Sequence, residues 1–204
     1  MMPTLCFSAA WAGYRRWEHR MPSKPPGRMA QRVSGLIEIL GDFDAVILDN
    51  FGVLSLGSPA IPEGAAALSA IRATGNPMRV LTNDGAKGIE AMLMGHHGRG
   101  YTFQSEEIIP GYWLLKRTLA AHPIQRAWGV IGLDPLPESI LTSPMTPLTG
   151  SGIERVDQVG GVVFLDGGEW CERDQARLTD SMTREPRPVI VCNPDLTAPY
   201  PDTL

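Results

Sequence analysis

Apolar positions along the chain come in short runs separated by breaks rich in glycine, proline and carboxamides. The run Ala45-Val46-Ile47-Leu48 leads straight into Asp49, Asn50, Phe51 and Gly52, after which Val53 and Leu54 are apolar again. An apolar run of this length bounded by a turn predicts a buried strand of a parallel sheet. Ile61-Pro62-Glu63-Gly64 opens an Ala-rich helix from about Ala65 to Thr74, closed by Gly75-Asn76-Pro77. Met78 to Leu81 predicts a second strand, running out into Thr82-Asn83-Asp84-Gly85. Upstream, Ser34 to Leu40 predicts a short helix, and Asp42 and Asp44 flank Phe43 as solvent-facing turn residues.

The alternation continues downstream. Ile89 to Gly95 predicts a helix that Gly98 and Gly100 break. Ser105 to Ile108 has the character of a helix start, with Pro110 in its first turn. Trp113, Leu114, Leu115 and Leu119 then form its apolar face, which places Trp113 in a core and not on a base-stacking platform. Ala127 to Gly132 and Val159 to Leu165 predict strands, separated by a Pro- and Thr-rich loop from Asp134 to Gly150. Arg173 to Thr183 predicts an amphipathic helix, and Val189 to Cys192 a last strand ending at Asn193-Pro194-Asp195. Strands alternating with helices predict an α/β fold with a parallel sheet.

Composition narrows the function classes. The chain has 204 residues, 43% of them hydrophobic and 20% charged, with a net charge of −4. That length suits one domain, or a small domain carrying an insertion. A negative net charge without a Lys/Arg stripe argues against a nucleic-acid partner. No apolar run approaches the ~18 residues of a membrane span, so no membrane partner is expected. Cys6, Cys171 and Cys192 are odd in number and widely spaced, which argues against a disulfide framework and fits the reducing cytoplasm. The composition is compatible with a homo-oligomer. Residues 1–33 differ from the rest: Arg15, Arg16, Arg20, Lys24, Arg28 and Arg32 face one acid, Glu18. A disordered tail or overextended start is expected there, and the basic, acid-poor composition also describes an organellar transit peptide.

Asp49 is the leading candidate for chemistry. Ligands of parallel α/β sheets bind beyond the carboxyl ends of the strands, where this carboxylate is expected. It has the makings of a nucleophile toward phosphorus or of an oxygen ligand for Mg²⁺. The plainer alternative is an Asp that caps its own turn. Thr82 and Asn83, at the end of the next strand, bring a hydroxyl and an amide suited to holding phosphate oxygens. His96 and His97 are adjacent, so they point apart on a helix and read as surface histidines. Gly160 and Gly161 lack the lysine of a phosphate-binding loop and read as packing or turn positions.

Four segments in order, Asp49-Asn50-Phe51-Gly52-Val53-Leu54, Ile61-Pro62-Glu63-Gly64, Leu81-Thr82-Asn83 and Cys192-Asn193-Pro194-Asp195-Leu196, resemble the haloacid dehalogenase-like hydrolases. The resemblance is to class IIA, the sugar-phosphatase and phosphoglycolate-phosphatase branch, and covers about Ser34 to Pro199. It implies a Rossmann-like parallel-sheet core over residues 34–88, an inserted α/β cap of the C2 type over 89–187, and a return to the core over 188–204. It implies a phosphatase acting on a small phosphorylated metabolite through an aspartyl-phosphate. Asp49 matches the nucleophile, and Mg²⁺ would sit on its carboxylate and on the backbone carbonyl of Phe51. Thr82 matches the phosphate-binding hydroxyl, Asn83 its loop-fixing neighbour, and Gly52 the position where backbone turns beside the phosphate. Asn193 and Asp195 fall where the returning chain lines the substrate site.

Two departures qualify that expectation. Phosphatases of this family carry an acid two positions after the nucleophile, where this chain has Phe51. A general acid/base is worth about 10²–10⁴ in rate. The family pattern also continues with a lysine and an acidic motif, which no residue up to Leu204 matches; Lys87 and Asp195 both come too early. An incomplete core with an unpaired sheet edge is therefore expected, as a fragment, a truncated reading frame or a chain whose edge a partner covers. A second function class stays open beside the hydrolase: a non-catalytic protein of the same fold that binds a phosphorylated ligand or another chain.

Overall fold

The structure is a computed structural model that describes residues 7–20, 27, 32–57, 59–85, 87–132, 145–167 and 170–195. Most of Ser23–Gly27, part of the loop expected from Asp134 to Gly150, and the segment from Leu196 onward lie outside the described residues. The chain divides into two compact units, residues 1–80 with 96–102 and 195–204, and residues 81–95 with 103–194.

The first unit begins with helix α1 (Phe7–Trp17), where residues 1–33 were expected to lack regular structure. Ala9, Ala10, Ala12 and the paired arginines favour helix locally, yet none of its residues is buried. After the short helix α2 (Leu36–Ile39), strand β1 (Val46–Leu48) pairs in parallel with strand β2 (Met78–Thr82), Val46 beside Met78 and Leu48 beside Val80. Helix α3 (Gly64–Ala73) connects them and buries Leu68 and Ile71, three residues apart on one face. The Asn76 amide donates to the carbonyls of Leu40 and Phe43, both at 3.0 Å, and so ties the turn before β2 to the segment before β1. β1 is not the fully buried strand expected: Val46 is buried, but Ile47 is 67% exposed. Only β2 pairs with it among the described strands, and the side chain of Ile47 faces solvent.

The second unit holds a four-stranded parallel sheet. Its strands are β4 (Trp128–Ile131), β5 (Met145–Pro147), β6 (Gly161–Phe164) and β7 (Val189–Val191), in the order β5-β4-β6-β7. Helix α5 (Gly111–Ala121) covers one face: Tyr112, Leu115 and Leu119 pack with Trp128, Val130, Val163 and Leu165. The other face is covered by the 3₁₀ segment Gly150–Gln158 and helix α6 (Glu172–Arg184), where Leu148, Ile153, Val156 and Val162 pack with Leu178. Asp157 fixes α6 in place, accepting hydrogen bonds from Arg177 at 2.6 Å and Ser181 at 2.6 Å. Those bonds hold its carboxyl well below the ordinary range.

Several expectations are corrected here. Ser105–Glu107 forms a 3₁₀ turn closed by the side chains of Gln104 and Glu107, and Ile108–Pro110 is an extended strand, β3. The helix therefore starts at Gly111, after Pro110 and not around it. Because Tyr112 occupies the inward face, Trp113 and Leu114 are 43% and 65% exposed. Met145–Pro147, inside the segment expected to be loop, is a strand because β4 lends it a ladder partner. Helix α4 (Ile89–Gly98) runs past Gly95, and His96 is buried at 2% exposure, not a surface residue; His97 is exposed.

Candidate active site

Asp49 is the first residue past β1, and its carboxylate is exposed. The turn that follows is built by its own backbone. The Asn50 carbonyl accepts from the amides of Leu54 at 2.8 Å and Ser55 at 3.2 Å, and the Gly52 amide donates to the Ser55 carbonyl at 2.7 Å. Gly52 has φ +85°, a left-handed conformation that a side chain would strain. The Asn50 amide donates to Asp49 Oδ1 at 2.7 Å, which fixes one carboxylate oxygen and leaves the other to solvent. Phe51 is half-buried in this turn and bridges to Ser55. The buried Asn50 Oδ1 has no hydrogen-bond partner among the described residues. Asp49, Phe51 and Gly52 are thus brought together in one turn.

In the second unit, Thr82 closes β2 with its side chain buried, and its Oγ1 accepts the Asp84 amide at 3.2 Å. The Asn83 amide donates to Asn193 Oδ1 at 3.0 Å, joining residues 110 positions apart. Gly85 packs against Cys192 beside that pair, and a side chain there would press on the Cys192 Cβ. Burial pushes the Cys192 thiol up to about 11, so it is not a thiolate near neutral pH. Asp195 lies exposed past Asn193. Lys87 pairs with Asp84 at 3.0 Å.

Sequence reasoning missed Arg99 and Tyr101. The Tyr101 hydroxyl donates to the Leu54 carbonyl at 2.7 Å, and Arg99 donates to the Gly57 carbonyl at 2.8 Å. Both partners lie more than 40 residues earlier in the chain. The one trace in the sequence is Gly64, at the start of α3, where a Cβ would collide with the Tyr101 hydroxyl.

Among the described residues, no group of three or more His, Cys, Asp and Glu side chains is placed to hold a metal ion. The free carboxylate oxygen of Asp49 and the Phe51 carbonyl are nevertheless hard oxygen donors. Mg²⁺ keeps several waters and takes only one or two carboxylates, so this pair fits it in kind.

A family model for haloacid dehalogenase-like hydrolases matches residues 46–142, a span that starts at β1 and holds Asp49 and Thr82. Over that span the chain is similar to haloacid dehalogenase-like hydrolases. Solved structures agree on that fold. A possible sugar phosphatase of the superfamily from Cytophaga hutchinsonii aligns with 86% of this chain and 63% of its own, at 19% identity and a TM-score of 0.69. A glycerol phosphate phosphatase from Mycobacterium tuberculosis, solved with magnesium, aligns with 81% of this chain and 48% of its own, at 18% identity and TM-score 0.60. For a p-nitrophenyl phosphatase from Archaeoglobus fulgidus the figures are 74%, 56%, 18% and 0.55. The chain spans about half to two thirds of the length of these structures. Comparison with curated proteins found no match.

Proposed function

We propose that this chain is a Mg²⁺-dependent phosphomonoester hydrolase that acts on a small phosphorylated metabolite through an aspartyl-phosphate at Asp49. The observation that supports it best is the turn after β1. It exposes one carboxylate, holds one of its oxygens by the Asn50 amide, and leaves the second oxygen free to attack. The family match and the phosphatases among the structural relatives point the same way. In this reading residues 89–187 form the cap, and Thr82, Asn83, Asn193 and Asp195 line the substrate side. Mg²⁺, bound by Asp49 and the Phe51 carbonyl, supplies charge neutralisation on the phosphate.

The free oxygen of Asp49 attacks phosphorus. The new bond joins that oxygen to phosphorus, and the ester P–O bond breaks with its electron pair leaving on the alcohol oxygen. Water then splits the aspartyl-phosphate and restores the carboxylate. The leaving oxygen must take its proton from solvent, because Phe51 stands where the family's acid would be. Esters of acidic alcohols should accordingly react best.

The test is turnover of p-nitrophenyl phosphate and of glycerol phosphate by the protein with Mg²⁺. The aryl ester is expected to be hydrolysed and the alkyl ester to lag behind it. Asp49→Asn should abolish turnover, and Phe51→Asp should raise it by roughly 10²–10⁴, the usual worth of a general acid/base. Turnover that survives Asp49→Asn would sink the reading. Absence of turnover in both the parent and Phe51→Asp would favour the non-catalytic alternative, a phosphorylated-ligand or protein binder.

A further inference from the structure

The residues after Asp49 form more than a turn. Ile61 donates its amide to the Leu54 carbonyl at 3.2 Å, Leu56 donates to Pro59 at 3.1 Å, and Ser55 bridges to Ala60. Residues 54–57 and 59–61 thus pair as a small hairpin that grows out of the turn, and its inner strand shares Leu54 and Ser55 with that turn. Such a hairpin is too small to hold its shape alone. The segment 96–102 holds it from outside. The Tyr101 hydroxyl sits at the base, donating to Leu54 at 2.7 Å and lying 3.3 Å from the Ile61 carbonyl. Arg99 reaches the far end at the Gly57 carbonyl, 2.8 Å away. Gly57 has φ +77° there.

The holder is itself anchored. Arg72, on α3, donates to the Thr102 carbonyl at 2.6 Å. Tyr101 is 2% exposed and packs against the buried His96 ring, centroid to centroid 6.2 Å. The absence of a side chain at Gly64 makes room for the hydroxyl. A buried hydroxyl needs a partner, and this one joins two strands of the hairpin at the point where they leave the turn.

We propose that Tyr101, with Arg99, is a positioning residue that clips the hairpin of residues 54–57 and 59–61 and through Leu54 and Asn50 sets the Asp49 carboxylate. The linkage is continuous: Tyr101 hydroxyl to Leu54 carbonyl, Leu54 amide to Asn50 carbonyl, Asn50 amide to Asp49 Oδ1. The effect on catalysis rests on the phosphatase reading given above; the mechanical linkage does not.

Tyr101→Phe tests it, because the ring that fills the site stays and only the hydroxyl goes. Amide hydrogen exchange is measured on the full chain, and turnover of p-nitrophenyl phosphate beside it. Exchange at Asn50, Gly52, Leu54, Ser55 and Ile61 should speed up roughly five- to tenfold, the factor expected for one lost hydrogen bond. Exchange at Val130 and Val163, in the sheet of the second unit, should not change. In a parent that turns over, kcat should fall by a similar factor with KM unchanged, because the carboxylate is misplaced and not the substrate. Arg99→Ala should speed exchange at Leu56 with the same control. Unchanged exchange at the five amides would overturn the clip, as would an equal rise at all sites, which marks general destabilisation. Faster local exchange with kcat unchanged would overturn the setting of Asp49. A parent and a Phe51→Asp variant that both lack turnover would refute the phosphatase reading, while exchange at the five amides still decides the clip.

Discussion

β1 and β4 begin as similar apolar runs and end differently. Every residue of β4 is buried, with α5 on one side of its sheet and the 3₁₀ segment and α6 on the other. β1 buries Val46 and leaves Ile47 67% exposed. An apolar run therefore records that a strand can be covered on both faces, not that it is. The sheet of the second unit is stabilised from two sides. The Asp49 turn hangs from β1, which among the described strands pairs only with β2, and the hairpin after it is held by a few side-chain hydrogen bonds from Arg99 and Tyr101. Chemistry is often placed on such lightly held elements, which are the first to open.

Substitutions should separate the two regions. Ile153, fully buried in the second unit, is expected to cost about 2–5 kcal/mol when changed to Ala, because a cavity replaces the lost contacts. Urea unfolding followed by a probe in each unit would check it, since two units need not unfold as one. A loss below about 1 kcal/mol would show that this face is less tightly packed than its burial implies.

Acid should weaken the first unit next. Burial, and then the charge of Arg99, push His96 down to about 4 from its ordinary 6.5. Between those values the unfolded chain binds a proton that the folded chain refuses, so stability falls as pH drops through about 6.5 to about 4. The full loss is about 3 kcal/mol, from 1.36 kcal/mol for each unit of pKa. Amide exchange at Tyr101 and Leu54, taken at pH 7 and pH 4.5 relative to the intrinsic exchange rate at each pH, reads it. A His96→Gln variant should show a flatter response, and an identical slope would assign the acid sensitivity elsewhere. The smallest effect is expected at Ile47: change to Ala should shift stability by about 0.5 kcal/mol or less, as for other surface positions. A larger loss in the same urea experiment would mean that Ile47 is covered in solution.

Local patterns made much of this legible. Asp49 at a strand tip, the helix that Gly64 opens, and the strands ending at Thr82, Ile131, Phe164 and Val191 all follow from apolar runs punctuated by turn residues. What failed depends on distant partners. Met145–Pro147 has no strand signature of its own and becomes one through pairing with β4. Ile108–Pro110 followed acids and a serine that favour a helix start, yet the turn closed one residue earlier. His96 read as surface because adjacent histidines point apart on a helix, and which of the two turns inward depends on packing that the local sequence does not carry. Of the candidate site, the Asn83–Asn193 bond agrees with two residues singled out from separate segments, whereas Arg99 and Tyr101 left no local trace.

Gly64 and Tyr101 also constrain how this sequence can change over time. Gly64 is the first residue of α3, with an ordinary backbone, so replacement by alanine would ordinarily be tolerated there. Here the phenol forbids it. Only a lineage that had first surrendered the tyrosine could accept alanine, and once it had, the tyrosine could not return. A change at Gly64 should therefore follow a change at Tyr101.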